Sequence, residues 1–556
     1  MDSHRKPEAS LEPAFDSYRS PVLARQGMVA ASQPLASQAG LSILMRGGNA
    51  ADAAIATAAA LNVTEPTSTG LGGDCFALFY EARTGQVTAL NGSGRAPAAL
   101  TIELVRQQGL AVGQAIGDPY HAHNVTVPGA CAGWCDLIAR HGSLPLADIL
   151  APAIHLAEAG FPVAPLTAHF WQRGTDRQLK TAPGGQALTL GGRGPRAGEI
   201  FRNPGLARTL RAIAEGGPAA YYRGEIARDI AQAVQAAGGV MTPEDLAAHT
   251  STWDQPISTT YRDVRVWECP PNGQGLAALL ALNIVEGFEL AGQAPESVER
   301  WHTLIEAMRL AFADTNWYVA DPRFSELPLA GLLSKAYAAE RRQRIDPARA
   351  TVDPQRGAPV AGSGTVYFCT VDEQGNACSF INSNYMGFGT GIVPGHPSRP
   401  WGFSLQHRGN NFSLDPAHPN ALAPRKRPYH TIIPGLITRA DGSLYAPFGV
   451  MGGFMQPQGH LQVVVGLVDD GLDPQAALNR PRFCLEAAED GSQVNVEAGF
   501  PSAVVDGLRQ RGHLLRDQVA GFNRALFGRG QIIRREPDGV LWGGSDPRAD
   551  GCAMGW

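Results

Sequence analysis

The chain has 556 residues, is 44% hydrophobic and sets 46 Lys and Arg against 51 Asp and Glu, for a formal net charge of −5. That length supports a large core, and without a long basic run neither nucleic acid nor an anionic membrane surface is an expected partner. No stretch reaches about 18 consecutive apolar residues, so no membrane span is expected and small-molecule chemistry is the better expectation.

The start, Met1 to Glu8, is polar and lacks the apolar stretch of a secretory signal. A cytoplasmic location is therefore the expectation, or a periplasmic one if an export segment has been trimmed. Pro34 to Arg46 reads as a short helix ending at Gly47-Gly48, and Asn49 is placed to cap an Ala-rich helix from Ala50 to about Leu61. Cys75 to Tyr80 and Val87 to Leu90 read as paired strands across Arg83-Thr-Gly85.

Pro145 to Gly160 and Asn203 to Ala237 carry helical periodicity, and Gly174 to Gly198, rich in Gly, Arg and Thr, reads as a long surface excursion. Thr242-Pro-Glu-Asp245 is a helix start, and Leu276 to Leu290 and Val298 to Ala313 read as helices. Ala348 to Gly364 has the Pro, Gly and Ala content of a linker. Tyr429 to Ile437 reads as a strand and Gly459 to Gly471 as a helix. Mixed in this order, the elements suit a sheet packed between helical layers.

The eight cysteines are scattered, with no CxxC and no Cys/His cluster at zinc spacing, so reduced thiols are expected. His121 and His123 share a face if that segment is a strand, but no third ligand is near in sequence. Neither a metal nor another cofactor is expected.

Thr365 carries the most chemistry. It follows Gly364 at the head of a strand-like run to Asp372, and if the Gly364–Thr365 bond is broken it supplies both a hydroxyl nucleophile and a free α-amino group. With Asp372 to Asn376 as a hairpin connection centred on Gln374, the second strand is Ala377 to Ser383. That register sets Thr365 opposite Ser383, with Cβ atoms about 4.5–5.5 Å apart. A second hydroxyl then lies within hydrogen-bonding reach of the first.

Several motifs together resemble the γ-glutamyltranspeptidase family, including its cephalosporin acylase members. They are Gly47 to Ala54, Glu65-Pro66, Gly70-Leu-Gly-Gly-Asp74, Ser379 to Gly391, Arg427-Pro428, Gly452-Gly453, Ser545-Asp-Pro-Arg548 and Asp550-Gly551, in an order that covers nearly the whole chain. The resemblance implies an α/β (α+β) fold, the four-layer αββα sandwich of the N-terminal nucleophile hydrolases. It also implies one precursor cut between Gly364 and Thr365 into a large subunit, 1–364, and a small subunit, 365–556, interleaved as a heterodimer. The Gly452 and Gly453 backbone would supply the oxyanion donors, and the partners would be a small-molecule amide with water or an amine as acceptor.

The positions around the acyl group depart from the family pattern. Where relatives carry an acidic pair before Phe-Ser, this chain has Asn410-Asn411, so the partner of a substrate α-ammonium is replaced by neutral Asn411. After Arg427-Pro428 the usual adjacent serines are Tyr429-His430-Thr431, and the asparagine usual after the Ser383-like position corresponds to Tyr385. Arg95 is displaced by two residues toward the following proline, and Arg408, where a neutral residue is common, is an alternative carboxylate partner.

A glutaryl group is a γ-glutamyl group without its α-amino. The expectation is therefore an acylase that removes glutaryl from a cephalosporin, with some γ-glutamyl hydrolase or transpeptidase activity. A glutathione-cleaving γ-glutamyltransferase is the first alternative and an uncleaved binding protein of the same fold the second. No GxSxG elbow or complete GxGxxG fingerprint favours a serine hydrolase or a dinucleotide enzyme.

Overall fold

The computed structural model describes residues 19–351, 364–488 and 491–556, and its layers follow from strands that are apolar on both faces. In Asp74–Glu81, the side chains of Cys75, Ala77 and Phe79 join one buried cluster while Phe76, Leu78 and Tyr80 join another. Such a strand must be covered on both sides.

The strands of the two large sheets begin with β1 Val22–Ala24, β2 Met28–Ala31, β3 Asp74–Glu81, β4 Gln86–Gly92, β5 Thr252–Asp254, β6 Ile257–Tyr261 and β7 Val264–Glu268. They continue with β8 Gly364–Val371, β9 Ala377–Tyr385, β10 Gly435–Arg439, β11 Leu444–Met451, β12 Arg529–Arg535, β13 Leu541–Ser545 and β14 Cys552–Gly555. One seven-stranded sheet runs β1-β13-β12-β11-β10-β7-β6 and the other β14-β2-β8-β9-β3-β4-β5. Both mix strands from before and after Gly364, so the two segments are interleaved in one core.

Helices α1 Pro34–Met45, α2 Ala50–Thr64, α3 Ala130–His141, α4 Leu146–Ala159, α5 Pro165–Gly174, α6 Pro204–Tyr222 and α7 Glu225–Ala236 cover the outer face of the second sheet. Helices α8 Gly275–Val285, α9 Val298–Tyr318 and α10 Met455–Val468 cover the first. Between the sheets lies a third apolar layer that includes Phe76, Tyr367, Ile381, Leu436 and Met451. The result is the expected αββα sandwich. Among the described residues no helix is long and apolar enough to cross a membrane.

Local chemistry accounts for the elements that match expectation. The Asn49 side chain accepts from the Ala51 and Asp52 backbone at 2.9 and 3.1 Å, while Asp52 accepts from the Asn49 backbone at 2.9 Å, a reciprocal cap on α2. The alanines of α2 are wholly buried, which lets the helix lie close under β8 and β9.

Other segments differ from expectation. His121 caps a 3-10 turn, Ala122–Asn124, and His123 lies within it, so neither is on a strand, and His123 Nε2 pairs with Gln108 at 2.6 Å. Asn203 to Ala237 is two helices, α6, kinked at Gly217 where φ is 59°, and α7, which begins after Gly224 turns extended. The strand expected from Tyr429 begins only at Gly435, because His430 N and O bond instead to Asn272 O and Gln274 N at 2.8 and 2.9 Å. The 174–198 excursion starts as a π-helical turn, Thr175–Leu179, that continues α5. Of the expected linker, residues 352–363 lie outside the described residues.

Candidate active site

The hairpin register runs as read from the sequence between Val366↔Asn382 and Val371↔Ala377. Gly364 then pairs with Tyr385, so β9 holds one extra residue at its end and forms a bulge. The bulge is visible in Tyr385, a non-glycine residue at φ 81° whose N–H donates to Ser383 Oγ at 2.8 Å. It leaves Thr365 and Ser383 with their hydroxyls 2.9 Å apart and both side chains buried.

A polar chain spreads from that pair. Arg408 Nη2 donates to Ser383 Oγ at 3.2 Å and Nη1 to Thr431 Oγ1 at 2.7 Å, with its guanidinium 4.5 Å from the Tyr385 ring centre. Gln274 Nε2 then donates to the carbonyls of Thr431 and Gly453 at 2.6 and 2.9 Å. Hydrogen bonds thus connect Thr365, Ser383, Arg408 and Thr431, and Gln274 extends the connection to Gly453.

Gly452 and Gly453, at φ 144° and 60°, join β11 to α10. The glycine at 453 is required by its left-handed backbone. Their carbonyls accept from Met455 N and Gln456 N at 3.0 and 3.2 Å, so their own N–H groups precede the first helical turn. Helix N–H groups without intrahelical partners, together with the positive end of the dipole, suit a developing oxyanion.

The Arg408 charge is buried, and burial lowers its pKa to about 10, still charged at neutral pH. Its electrostatic partner is Asp74, fully buried at the start of β3, whose carboxylate accepts from Gly94 N, Gly129 N, Gln406 Nε2 and His430 Nε2 at 2.9–3.2 Å. Burial raises the Asp74 carboxyl to about 6, a shift that Arg408 opposes. His430 is pushed well below its ordinary value by burial, then by Arg408, and stands neutral with Nε2–H facing Asp74.

Two other residues expected at the acyl group have their own partners. His430 is wholly buried, with Nε2 on Asp74 and Nδ1 accepting from Ile432 N at 3.4 Å, so it supports the site from behind. Arg95 stays outside the hydroxyl cluster: Nη1 donates to Thr250 O at 3.1 Å, and the neighbouring charges are Arg323, Asp321 and Asp254. Asn411 donates to Tyr429 O at 3.0 Å at the edge of the cluster.

Gln274, His407 and Asp74 are not among the site residues expected from the sequence, although Asp74 ends the Gly70-Leu-Gly-Gly-Asp74 motif. His407 stacks at a tilt between Tyr385 and Tyr120, with centroids 4.9 and 5.5 Å away. Away from this site, His302, Glu306 and His513 form the one group of three possible metal ligands among the described residues. The two histidines are bonded to each other at 2.8 Å and His302 to Asp346 O at 2.7 Å.

A cavity of about 350 Å³ opens beside Gly452, with Ser68, Tyr120, Met386 and Phe454 in its wall. Thr365, 1% exposed, is outside that wall.

The family model described as Gamma-glutamyltranspeptidase matches residues 36–556. The structure is similar to the crystal structure of cephalosporin acylase from Bacillus halodurans, with a TM-score of 0.90 and 48% identity, covering 100% of this chain and 99% of that one. Among curated relatives, the glutathione hydrolase-like YwrD proenzyme of Bacillus subtilis is 37% identical over 96% of this chain and 99% of its own length. The oxamate amidohydrolase proenzyme of Klebsiella pneumoniae is 35% identical over 95% and 98%.

Proposed function

Because the chain belongs to the gamma-glutamyltranspeptidase family, we propose that it is an autoprocessed amidase with Thr365 as nucleophile and a carboxylate-bearing acyl group as its substrate. The observation that carries this reading is the buried Thr365–Ser383–Arg408–Thr431 hydrogen-bond chain. In maturation the Thr365 hydroxyl attacks the Gly364 carbonyl, the Gly364–Thr365 C–N bond breaks as the acyl group moves to Oγ1, and water cleaves the ester. The freed α-amino group has an ordinary pKa of about 7.7–8.0 and acts as general base.

In turnover that amine accepts the hydroxyl proton as Oγ1 attacks the substrate amide carbonyl. The oxyanion forms toward the Gly452 and Gly453 N–H groups. The amine product leaves with a proton, and water then resolves the acyl-enzyme, or an acceptor amine does so in transfer. Ser383 orients the nucleophile throughout.

Acyl choice follows from charge. Neutral Asn411 removes a partner for an ammonium, while Arg408 provides one for a carboxylate. Glutaryl amides, including a glutaryl cephalosporin, are the proposed substrates, with γ-glutamyl amides slower. A shorter acyl group is a second reading, because Arg408 is only two hydrogen bonds, 2.9 and 3.2 Å, from the Thr365 hydroxyl. The oxamate-cleaving relative is consistent with it. Glutaryl, γ-glutamyl and oxamate substrates assayed side by side test both: glutaryl leading supports the first, oxamate leading the second, and γ-glutamyl leading contradicts the charge argument.

A further inference from the structure

Two arginines beside Gly452 line the cavity away from the Thr365 cluster. Arg173 lies in the last turn of α5 and Arg177 in the π-helical turn that follows, and both line the cavity. Neither forms an ion pair among the described residues. Asp176 is taken by Lys180 at 2.6 Å, and Glu486, also in the wall, faces Arg516 and bonds to Asn495 at 2.5 Å. The fourth arginine of the wall, Arg529, is paired with Glu65 at 2.9 Å.

The turn that carries Arg177 is held in place. Gln178 Nε2 donates to Met386 O and Gly389 O at 2.9 and 2.6 Å, and Gln178 Oε1 accepts from Phe388 N at 3.1 Å. Gly174 lets α5 close onto Phe388, since a Cβ there would lie 2.6 Å from the ring. These contacts fasten the arginines to the loop that leaves β9, the strand of Ser383 and Tyr385. Two like charges have thus been fixed near each other, and burial followed by Arg177 lowers the Arg173 pKa.

The cavity reaches Gly452 but includes none of Arg408, Asn411 and Thr431, the residues proposed above for the acyl side. If the substrate carbonyl sits at Gly452 with its acyl group toward Arg408, this cavity is left for the amine portion. Phe170, Phe454 and Phe522 line the same cavity. Resting on the amidase reading, we propose that Arg173 and Arg177 form an anion subsite for the amine side of the substrate. The favoured leaving or acceptor amine then carries a carboxylate on an apolar or planar body.

The test uses glutaryl-p-nitroanilide and glutaryl-3-carboxy-4-nitroanilide, which share an acyl group and differ by one carboxylate on the leaving group. The processed enzyme is expected to favour the carboxylated amide at least tenfold in kcat/KM. In Arg173→Gln/Arg177→Gln that preference is expected to vanish through KM, with the neutral amide changed less than twofold. Equal kcat/KM for the two amides in the natural protein, or an equal fall for both in the variant, overturns the subsite.

Calorimetric binding of free 5-amino-2-nitrobenzoate and 4-nitroaniline separates the two readings. Tighter binding of the benzoate, lost in the double variant, supports the subsite even if neither amide turns over, in which case the amidase reading fails. Equal binding of both amines contradicts the subsite even if both amides turn over.

Discussion

At the scale of single residues, the site depends on which arginine meets the acyl carboxylate. Arg408→Lys keeps a charge beside Asp74 but loses the planar fork that spans Ser383 and Thr431. KM for a glutaryl amide is expected to rise about tenfold or more, the scale of one charge-assisted hydrogen bond of roughly 1.5–3 kcal/mol. Arg95→Gln is expected to change it less than twofold, since Arg95 is turned to Thr250. Steady-state kinetics on both variants decide, and the reverse pattern would restore Arg95 to the substrate.

Ser383→Ala removes the 2.9 Å partner of Thr365 and should cost about tenfold in kcat, near 1.4 kcal/mol, with the Thr365→Ala precursor as the inactive reference. That partnership was legible in the sequence because a hairpin register depends only on neighbouring residues and the turn between them. The contacts of Arg408 with Thr431, and of Gln274 with Gly453, were not. They join residues 23 and 179 positions apart, and no local periodicity encodes such distances.

At the scale of elements, the irregular connections position the chemistry. Gln274, just before α8, holds both the Thr431 segment and the Gly452-Gly453 turn, so Gln274→Ala frees two carbonyls at once. The expected loss is about 2 kcal/mol in stability, with kcat falling at least tenfold, read by urea unfolding and by turnover. Unchanged kcat with reduced stability would mean that the glycine turn needs no such support.

The αββα layers were implied by motif resemblance, and alternating strands such as Cys75 to Tyr80 could be read directly. The bulge at Tyr385 and the π-turn after Gly174 could not. Each is one residue out of step with an otherwise regular pattern, and tertiary contacts decide it: Tyr385 N on Ser383 in one case and Gln178 on the 386–389 loop in the other. The Tyr429 segment reads as a strand for a similar reason, since its apolar residues are buried while its backbone bonds to 272–274.

At the scale of the whole molecule, Asp74 joins segments from both sides of Gly364. It receives Gly94 and Gly129 from before that residue and Gln406 and His430 from after it. Its carboxyl is raised by burial to about 6 from 3.8, so the folded chain holds the proton more tightly than the unfolded one. The associated stability is complete below about pH 4 and is lost as pH rises through about 6. Urea midpoints of the natural protein are expected to fall relative to Asp74→Asn between pH 4.5 and 7, and a constant gap would contradict the assignment.

Interleaving has a second consequence. Strands from both sides of Gly364 share each sheet, so a cut there leaves the core intact and opens only the Thr365 end of β8. The most direct test is denaturing mass analysis of the purified protein beside Thr365→Ala. Two polypeptides are expected from the natural protein, one ending at Gly364 and one beginning at Thr365, and a single uncut chain from the variant. One uncut chain in both samples, or a cut at another bond, would contradict Thr365 as the nucleophile.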